Sequence, residues 1–510
     1  MAGVVAAGHR KTADAAAAML EAGGNAFDAA VAGVLAACVA ESVLTSLGGG
    51  GFLLAHTAQG ENVLFDFFSQ TPQRSPQTGR ALDFYPIEAN FGDTTQTFHI
   101  GLGSMAVPGV WAGLLQVHRR LGQLPLAVVA EPAIALAKQG VAVNPFLAYV
   151  YQILAPILTA NADTRALYAP SGDLLQAGAT LQMPGFADTL THLVAHPDDF
   201  YHGDLAQHIA RASADQGGSL IMDDLSAYRV IERVPLKTQY RGHTLLTNPP
   251  PSSGGTLIAF ALQLLASVNL ADTSHGSAAH LRCLSAAMRL TNVARRDGYD
   301  ARLYDANIAA DLLSAAHLSP YQQQLQAIAR NCTNKLGSTT HLSVIDRQGN
   351  AASVTTSNGE GSAYVIPHTG IMVNNMLGEE DLNPQGFHRW QPNQRISSMM
   401  APTMVLQQGQ PELVLGSGGS NRIRTAILQV ISNLIDFNLP LTAAVTAPRI
   451  HWENGLFHLE PGAPVKDTEI LDCGQIFHWS DQNMFFGGVH AVSPQTGAGD
   501  PRRSGVVIQV

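Results

Sequence analysis

The sequence changes character at Thr339, and this change limits the possible folds more than any other feature. Residues 305–338 are rich in Ala and Gln and lack strand signals, which predicts helix followed by an exposed connector. From Thr339 the segment TTHLSVID alternates, with Leu342 and Val344 on one face. The turn RQGN then leads into AASVTTS, so the pattern predicts a β-hairpin.

The part of the chain before this hairpin is predicted to be largely helical. Periodic Ala and Leu predict helices over residues 12–22, 26–41 and 256–268, and through most of 108–230. Four consecutive glycines, Gly48 to Gly51, precede a strand rich in Phe and Leu. This run lets another backbone or a ligand approach closely, and because no Lys follows, it does not match a phosphate-binding loop.

The part after the hairpin is predicted to be β-rich. Strands are expected near residues 371–375, 403–407 and 412–416. A helix is expected to begin near Arg422, directly after the glycine-rich segment GSGGSN. With 510 residues, the chain is long enough for two to four domains or for one large layered unit.

Charge and composition exclude several function classes. The formal net charge is −10, and no dense Lys/Arg cluster occurs, which argues against nucleic acid or an anionic membrane as a partner. The N-terminal residues show no signal-peptide pattern, and the apolar stretch Ala29–Ala40 is too short to span a bilayer. We therefore expect a cytoplasmic protein, or a periplasmic one if a leader precedes this sequence. Four cysteines without zinc or disulfide spacing are expected to be ordinary thiols: Cys38, Cys283, Cys332 and Cys473.

A few residues have the types that acyl-transfer chemistry needs. Thr339 begins a strand, Ser397 and Ser398 supply a hydroxyl pair, and Gly418 and Gly419 precede a helix. Backbone N–H groups at glycine turns and helix N-termini are good oxyanion donors. A nucleophile, a hydroxyl pair and a glycine N–H cluster together fit acyl transfer.

The same segments carry a resemblance to a known family. Thr339–Asp346 and Gly349–Ala351 match the pattern TTH-x-SVVD-x-x-GNA, with which the small subunit of γ-glutamyltransferases begins. Eight further blocks occur in the family's order: GGNAFDAAVA (23–32), LGGGGFLL (47–54), AVPGVWAG (106–113), EPAIALAKQG (131–140), NPPPSSGG (248–255), ISSMMAPT (396–403), LGSGGSNRI (415–423) and GAGDPRRSG (497–505). The chain thus resembles the γ-glutamyltransferase family over nearly its whole length.

The resemblance implies an α+β fold, the four-layer αββα sandwich of N-terminal-nucleophile hydrolases, made as a proenzyme. Thr339 would attack the carbonyl of Ser338 and cut the chain into a large subunit, 1–338, and a small subunit, 339–510, which remain one structural unit. Whether such pairs form dimers stays open. The freed α-amine, with an ordinary pKa of about 7.7–8.0, would act as general base for the Thr339 hydroxyl. No metal or cofactor is implied.

The resemblance also implies roles for individual residues. Gly418 and Gly419 would supply oxyanion N–H groups, and Ser397 and Ser398 would either contact the substrate carboxylate or line the site. A second hydroxyl that assists the nucleophile falls among Thr355, Thr356 and Ser357, and Thr356 is favoured. Asn358 then matches the family's substrate-binding Asn.

Two segments depart from the family's pattern. Phe68 stands where the family has an Arg that grips the glutamyl α-carboxylate, and Phe cannot replace that contact. Arg74 either compensates or is simply solvated. Glu379, Glu380 or Asp381 either hold a substrate ammonium group or form a solvated acidic loop. The following segment LNPQGFHRWQPNQ has the length and aromatic content of a lid.

Three functions remain open at this stage. The first is hydrolysis or transfer of γ-glutamyl amides such as glutathione, with water, an amino acid or a peptide as acceptor. The second is a cephalosporin or glutaryl acylase-like amidase with the same nucleophile, which the missing Arg suits. The third is a non-catalytic family member that stays one chain and binds a small molecule.

Overall fold

The computed structural model of the chain describes residues 3–74, 81–90, 95–326, 339–383, 385–453, 455–470 and 475–510. The strands in these residues are β1 (Gly3–Ala7), β2 (Gly50–His56), β3 (Asn62–Phe67), β4 (Tyr85–Asn90), β5 (Thr95–Ile100), β6 (Val141–Ala142), β7 (Thr180–Leu181), β8 (Ile231–Arg233), β9 (Leu236–Tyr240), β10 (His243–Thr247), β11 (Thr340–Asp346), β12 (Ala351–Ser357), β13 (Thr403–Gln407), β14 (Gln410–Gly418), β15 (Ile450–Glu453), β16 (Leu456–Leu459), β17 (Gln475–His478), β18 (Gly488–Val492), β19 (Gly497–Ala498) and β20 (Val506–Gln509).

The α-helices in the same residues are α1 (Arg10–Glu21), α2 (Ala26–Ala40), α3 (Val110–Leu121), α4 (Leu126–Gln139), α5 (Pro145–Ile153), α6 (Ala155–Leu158), α7 (Ala162–Tyr168), α8 (Pro184–Ala195), α9 (Asp199–His202), α10 (Asp204–Gln216), α11 (Met222–Ser226), α12 (Ser253–Leu265), α13 (Ala278–Ala294), α14 (Ile308–Leu312), α15 (Ala315–Leu325), α16 (Arg422–Ile435), α17 (Leu441–Thr446) and α18 (Asp467–Ile470). The helices predicted over residues 12–22, 26–41 and 256–268 are confirmed as α1, α2 and α12, with boundaries shifted by a few residues.

Two large sheets form the centre of the molecule. A seven-stranded sheet has the order β20-β1-β11-β12-β2-β3-β8, and a six-stranded sheet has the order β19-β18-β14-β13-β10-β9. Strands β11 and β12 of the first sheet lie against β14 of the second. The two sheets therefore pack face to face.

Alternating side chains explain why both faces of the seven-stranded sheet are buried. In β1, Val5 and Ala7 belong to the core beneath α1 and α2, whereas Val4 and Ala6 belong to the core on the opposite face. Successive side chains of a strand point to opposite faces, so each strand contributes to two apolar layers. In β11 the predicted pair Leu342 and Val344 does share one face.

Helices cover the outer face of each sheet. Every residue of α2 is buried, and this helix packs on β11 and β12. Asn25 and Asp28 form a capping box that fixes where α2 begins. On the other side, α16 packs on β14 and β18 and also contacts α12. The architecture is the predicted four-layer αββα sandwich.

Strands from before and after Thr339 alternate within the sandwich. The hairpin of β11 and β12 lies between β1 and β2, to which it is hydrogen-bonded on both sides. In the six-stranded sheet, β13 pairs with β10 from the earlier part of the chain. The two parts of the chain therefore share a single pair of sheets.

Some predictions of local structure need correction. The strand predicted at 371–375 is wrong, because the described residues there form only isolated bridges, from Val373 to Gly48 and from Met372 to Val365. Helix α1 begins at Arg10 with His9 as its N-cap, and Thr12 lies inside the helix.

Cys38 and Cys283 are free thiols, as predicted. Ser338, Cys332 and Cys473 lie outside the described residues. No helix in the described part of the chain is long and apolar enough to cross a membrane.

Candidate active site

Thr339 lies directly before β11, on the face that looks toward the second sheet. Two residues further along, His341 packs its ring against Gly416 of β14, and Ser343 donates a hydrogen bond of 3.1 Å to the carbonyl of His490 in β18. Because side chains alternate along a strand, Thr339 shares this face with His341 and Ser343. Thr339 is 4% exposed and so lies between the two sheets.

His341 itself serves the packing between the sheets. Its Nδ1 lies 2.7 Å from Thr355 Oγ1, and its Nε2 lies 2.9 Å from Ser343 Oγ. Burial holds the pKa of this imidazole well below its usual value. In the described part of the chain, no three His, Cys, Asp or Glu side chains are grouped so that they could hold a metal ion.

Two contacts hold the backbone of Thr339. The Arg503 guanidinium donates a hydrogen bond of 3.1 Å from Nη1 to the Thr339 carbonyl oxygen. Gly418, at the end of β14, packs so closely on the same group that an added Cβ would lie 2.1 Å from the oxygen. The position of the residue that begins β11 is therefore fixed from both sides.

A small cavity of about 40 Å³, which we call the nucleophile cavity, opens beside Thr339. Its polar wall consists of Thr339, Ser357, Ser398, Ser420, Glu379 and Asp381. Its apolar wall consists of Phe68, Met376, Leu382, Met399, Met400 and Ile423, and Gly359 completes the lining. Residues from distant parts of the sequence thus surround one threonine hydroxyl.

The second hydroxyl beside Thr339 belongs to Ser357 and not to the favoured Thr356. In the β11–β12 ladder Thr340 pairs with Thr356, and Thr45 Oγ1 donates a hydrogen bond of 2.8 Å to Thr356 Oγ1. Thr356 therefore faces away from the second sheet, whereas Ser357 follows it on the opposite face and lines the nucleophile cavity. A one-residue offset moves a side chain to the other face of the sheet.

The acidic segment divides between the cavity and the surface. Glu379 and Asp381 line the nucleophile cavity, whereas Glu380 is exposed and does not. Burial, followed by repulsion from Glu360 and Asp381, raises the pKa of Glu379 well above its usual value. Burial, followed by repulsion from Glu453, raises the pKa of Asp381, and Ser420 Oγ donates a hydrogen bond of 2.5 Å to its carboxylate.

Asn358 is buried next to the cavity but is not among the residues that line it. Its backbone N–H donates to the carbonyl of Leu44 at 3.3 Å. The loop that follows is shaped by another amide, Asn375, whose Oδ1 accepts hydrogen bonds from the backbone N–H groups of Glu360 and Gly361 at 2.8 and 3.1 Å. Asn375 was not among the residues that the sequence predicted for the site.

Phe68 occupies the position where an Arg was expected, and it does line the nucleophile cavity. It is 1% exposed and stacks on Phe52, with 5.4 Å between ring centroids. Arg74 is exposed and lies outside the cavity wall. Among the described residues that line the cavity there is no Lys or Arg.

The hydroxyl pair Ser397 and Ser398 stands between two cavities. Ser398 lines the nucleophile cavity, and its carbonyl accepts a hydrogen bond of 2.8 Å from the N–H of Ser253. Ser397 lines a second cavity of about 140 Å³, which we call the outer pocket. Its walls include Leu303, Tyr304, Leu382, Arg389, Trp390 and Ile396. Leu382 borders both cavities.

A buried polar network behind Thr339 was not foreseen from the sequence. Thr12 and Thr340 each donate a hydrogen bond of 2.6 Å to the Glu41 carboxylate. Burial lowers the pKa of the nearby Arg503 to about 10, although Glu360, Asp500 and Glu41 counteract it. The only signal for Arg503 in the sequence was its place in the terminal block GAGDPRRSG.

The four-layer sandwich, with Thr339 ahead of an inner strand, is the fold of the N-terminal-nucleophile hydrolases. The sequence model of the Gamma-glutamyltranspeptidase family matches residues 12–510. The chain belongs to this family of enzymes, which hydrolyse and transfer γ-glutamyl groups. The predicted family is thereby confirmed.

Curated relatives carry two kinds of name. The Acylase ACY 1 proenzyme of Pseudomonas sp. (strain SE83) is 33% identical over 480 residues, which cover 92% of this chain and 86% of the relative. The Glutathione hydrolase proenzyme of Escherichia coli (strain K12) is 30% identical over 496 residues, which cover 89% and 82%. Both relatives are named as proenzymes.

Solved structures also divide between the two kinds. The cephalosporin acylase from Bacillus halodurans superposes with a TM-score of 0.87 at 27% identity and covers 99% of this chain and 95% of its own. The γ-glutamyltranspeptidase from Helicobacter pylori gives a TM-score of 0.55 at 25% identity, over 62% of this chain and 90% of its own.

Proposed function

We propose that the chain is a self-processing amidohydrolase and acyltransferase with Thr339 as its nucleophile. One observation carries this proposal: Thr339 begins a buried inner strand, lines the nucleophile cavity, and has its backbone held by Arg503 and Gly418. Cleavage of the bond from Ser338 to Thr339 would yield a large subunit, 1–338, and a small subunit, 339–510. Their shared sheets would keep them together.

The chemistry follows from the freed N-terminus. The α-amine of Thr339 takes the proton of its own hydroxyl while Oγ1 attacks the substrate's amide carbonyl. The proton then passes to the leaving amine as the C–N bond breaks, which leaves an acyl-enzyme ester. Water or an amine acceptor attacks this ester and regenerates the hydroxyl. Backbone N–H groups of Gly418 and Gly419, between β14 and α16, are the proposed oxyanion donors.

The first candidate substrates are γ-glutamyl amides, among them glutathione. The family match and the Escherichia coli relative support this choice. Glu379 and Asp381, both in the cavity wall, are the proposed partners of the substrate ammonium group, and Ser398 of its acyl chain. Glu380 and Ser397 lie outside this cavity wall, so we assign them no direct contact there.

A second candidate is an acylase that acts on amides without an α-carboxylate. The specific observation is that Phe68 fills the expected Arg position in a cavity with a largely apolar wall. The acylase relatives from Pseudomonas and Bacillus are in agreement with it.

The test is an intact-mass measurement of purified protein, followed by assays with γ-glutamyl and glutaryl p-nitroanilides. Two fragments of 338 and 172 residues (510 − 338) are expected, and turnover of either anilide supports acyl transfer. Preference for the glutaryl amide would select the acylase function. A single uncut chain without turnover would leave only the ligand-binding alternative.

Ser357→Ala is expected to lower kcat by about 10- to 100-fold, because Ser357 lines the nucleophile cavity together with Thr339. Thr356→Ala is the matched control, since Thr356 is the next residue and faces away from the cavity toward Thr45. It should reduce the thermal midpoint but keep kcat within about threefold. A larger kcat loss in Thr356→Ala than in Ser357→Ala would assign the assisting hydroxyl to Thr356, as the sequence predicted.

Phe68→Arg is expected to lower KM for γ-glutamyl p-nitroanilide by about tenfold, because an Arg–carboxylate pair contributes about 1.5–3 kcal/mol. Phe68→Leu is the control, since it removes the ring stack with Phe52 without adding charge. Steady-state kinetics and thermal unfolding of both variants are the measurements. A folded Phe68→Arg protein without any gain would mean that the pocket has diverged further from γ-glutamyl recognition.

A further inference from the structure

Glu379 is the acid of the nucleophile cavity that keeps an oxygen open to a ligand. It is 7% exposed, and its Oε1 has no hydrogen-bond partner among the described residues. The other acid of the wall, Asp381, already accepts a hydrogen bond of 2.5 Å from Ser420. A buried acceptor without a donor is costly, and a donor group of a ligand would recover that cost. Because the described wall holds two acids and no Lys or Arg, a cationic donor fits it best.

The backbone at Gly359 lies directly against this carboxylate. Gly359 lines the cavity, and its φ of +61° lies in the left-handed region that favours glycine. A Cβ added there would lie 3.0 Å from Glu379 Oε1 and would overlap Asn375 Oδ1. The acid and the amide therefore both pack on the same stretch of backbone. A movement of that backbone would move the surface on which Glu379 rests.

The side chain of Asn375 fixes this backbone. Asn375 is fully buried, and its Oδ1 accepts hydrogen bonds from the N–H groups of Glu360 and Gly361 at 2.8 and 3.1 Å. Its Nδ2 donates to the carbonyl of His99, in β5, at 3.3 Å. Because the amide is used both as acceptor and as donor, its orientation is determined. Asn375 thus ties the residues that follow Asn358 to a strand from a distant part of the chain.

The backbone of Asn375 acts on the acid from the other side. Its carbonyl accepts a hydrogen bond of 2.7 Å from the N–H of Gly378, which closes the turn directly before Glu379. Burial is the main cause that raises the pKa of Glu379, and the Asn375 side chain is among the groups that lower it. The backbone and the side chain of one asparagine therefore both bear on the placement of Glu379.

We propose that Asn375 is a positioning residue for the subsite that binds the substrate's α-ammonium group. Its amide holds the backbone at Glu360 and Gly361 in place, so that Glu379 Oε1 faces the cavity and accepts a hydrogen bond from the ammonium group. The inference rests on the proposed function, because it takes Glu379 to be the partner of that group. Asn375 is not among the residues that line the cavity, so it acts through Glu379 and affects which acyl group is preferred.

The test compares γ-glutamyl p-nitroanilide with glutaryl p-nitroanilide, which differ only in the α-ammonium group. In Asn375→Ala, KM for the γ-glutamyl amide should rise about tenfold, because Glu379 loses the defined position that a charged hydrogen bond needs. KM for the glutaryl amide should stay within about twofold, and kcat for either amide within about threefold. A merely structural role of Asn375 would affect both amides alike.

Asn374→Ala is the matched control. Asn374 is the preceding residue and is equally buried, but its Nδ2 donates to the carbonyls of Gly48 and Ala106, at 2.8 and 3.0 Å. This variant should lower the thermal midpoint while the ratio of the two KM values stays as in the wild type. Asn375→Ser keeps a hydroxyl as acceptor and should raise the ratio by a smaller factor. It replaces Asn375→Ala in the comparison if the alanine variant does not fold.

Failure of this inference differs from failure of the proposed function. If both amides are hydrolysed and the ratio of KM values is unchanged in the Asn375 variants, Asn375 is not a positioning residue, and the function stands. The same conclusion follows if only the glutaryl amide is hydrolysed. If neither amide is hydrolysed, calorimetry with L-glutamate and glutarate decides the matter. A preference for glutamate that the Asn375 variants lose supports the subsite, and any other result overturns it.

Discussion

Thr339→Ala is expected to leave the chain as one uncut piece and to reduce amide hydrolysis by about four orders of magnitude or more. The substitution removes the proposed nucleophile for both reactions, cleavage of the chain and acylation by substrate. Losses of this size are typical when a catalytic nucleophile is deleted. Intact mass and p-nitroanilide turnover measure the two effects separately.

The fold should survive this change. Thr339 lies before β11 and takes no part in its ladder, and its carbonyl contact with Arg503 involves the backbone, which alanine keeps. Thermal unfolding of Thr339→Ala should therefore remain cooperative, with a midpoint within a few degrees of that of the wild-type protein. Loss of activity without loss of folding would localise the effect to the hydroxyl.

Two control variants sharpen the result. Thr339→Ser keeps a hydroxyl and should still be cut, with reduced turnover. Thr340→Ala removes the adjacent hydroxyl, which donates to Glu41 at 2.6 Å on the opposite face of the strand. It should cost about 1–3 kcal/mol of stability while the chain is still cut. If Thr339→Ala were cut at the same bond, the nucleophile would have to be another residue.

Gly418→Ala is expected to have the second largest effect, a loss of about 100-fold or more in kcat. The added Cβ would lie 2.1 Å from the Thr339 carbonyl oxygen and 2.9 Å from its carbon, so backbone must move. Neither backbone segment can move easily. Gly418 is paired with Gly488 in the β14–β18 ladder, and Arg503 holds the carbonyl of Thr339 by a hydrogen bond. Small displacements of a nucleophile or of an oxyanion donor carry losses of this order.

Single-turnover kinetics and thermal unfolding would separate the two consequences of Gly418→Ala. Overpacking is expected to cost about 1–3 kcal/mol, too little to unfold a chain of this size. Gly60→Ala is a suitable control: its φ is +85°, but nothing lies within 4 Å of the added methyl group, and it is far from the cavity. It should lose stability and keep its activity. Full activity of Gly418→Ala would remove Gly418 from the proposed oxyanion site.

Local patterns predicted much of the secondary structure. The hairpin of β11 and β12 and helices α2 and α16 lie where periodicity and turn residues placed them. These elements carry their own signals, namely alternation over a buried face and polar or glycine residues at their ends. The layered fold came from the resemblance, because the order of strands in a sheet depends on contacts between distant segments.

The choice of Thr356 over Ser357 shows what local patterns leave open. Both residues occupy the same strand, and only the pairing of Thr340 with Thr356 decides which hydroxyl shares a face with Thr339. That register depends on how the connection between the strands is built, and a shift of one residue reverses every side chain. The alternation of apolar and polar residues along each strand does not determine this register.

The supporting residues of the site were hidden for a different reason. Arg503 lies 164 positions from the threonine whose carbonyl it contacts, and Glu41 lies 299 positions from Thr340. Such pairings have no periodicity and no local spacing.

The placement of the β11–β12 hairpin between β1 and β2 has a consequence for any break in the chain at its start. Each half would be left with a gap in the middle of a sheet, because the strands that fill it belong to the other half. Neither piece could complete the hydrogen bonding of this sheet by itself. After a cut, the two pieces would therefore stay together through the backbone hydrogen bonds between their strands. The whole chain would thus have to fold before any such cut. Each piece alone would expose unpaired strand edges, which are prone to aggregation.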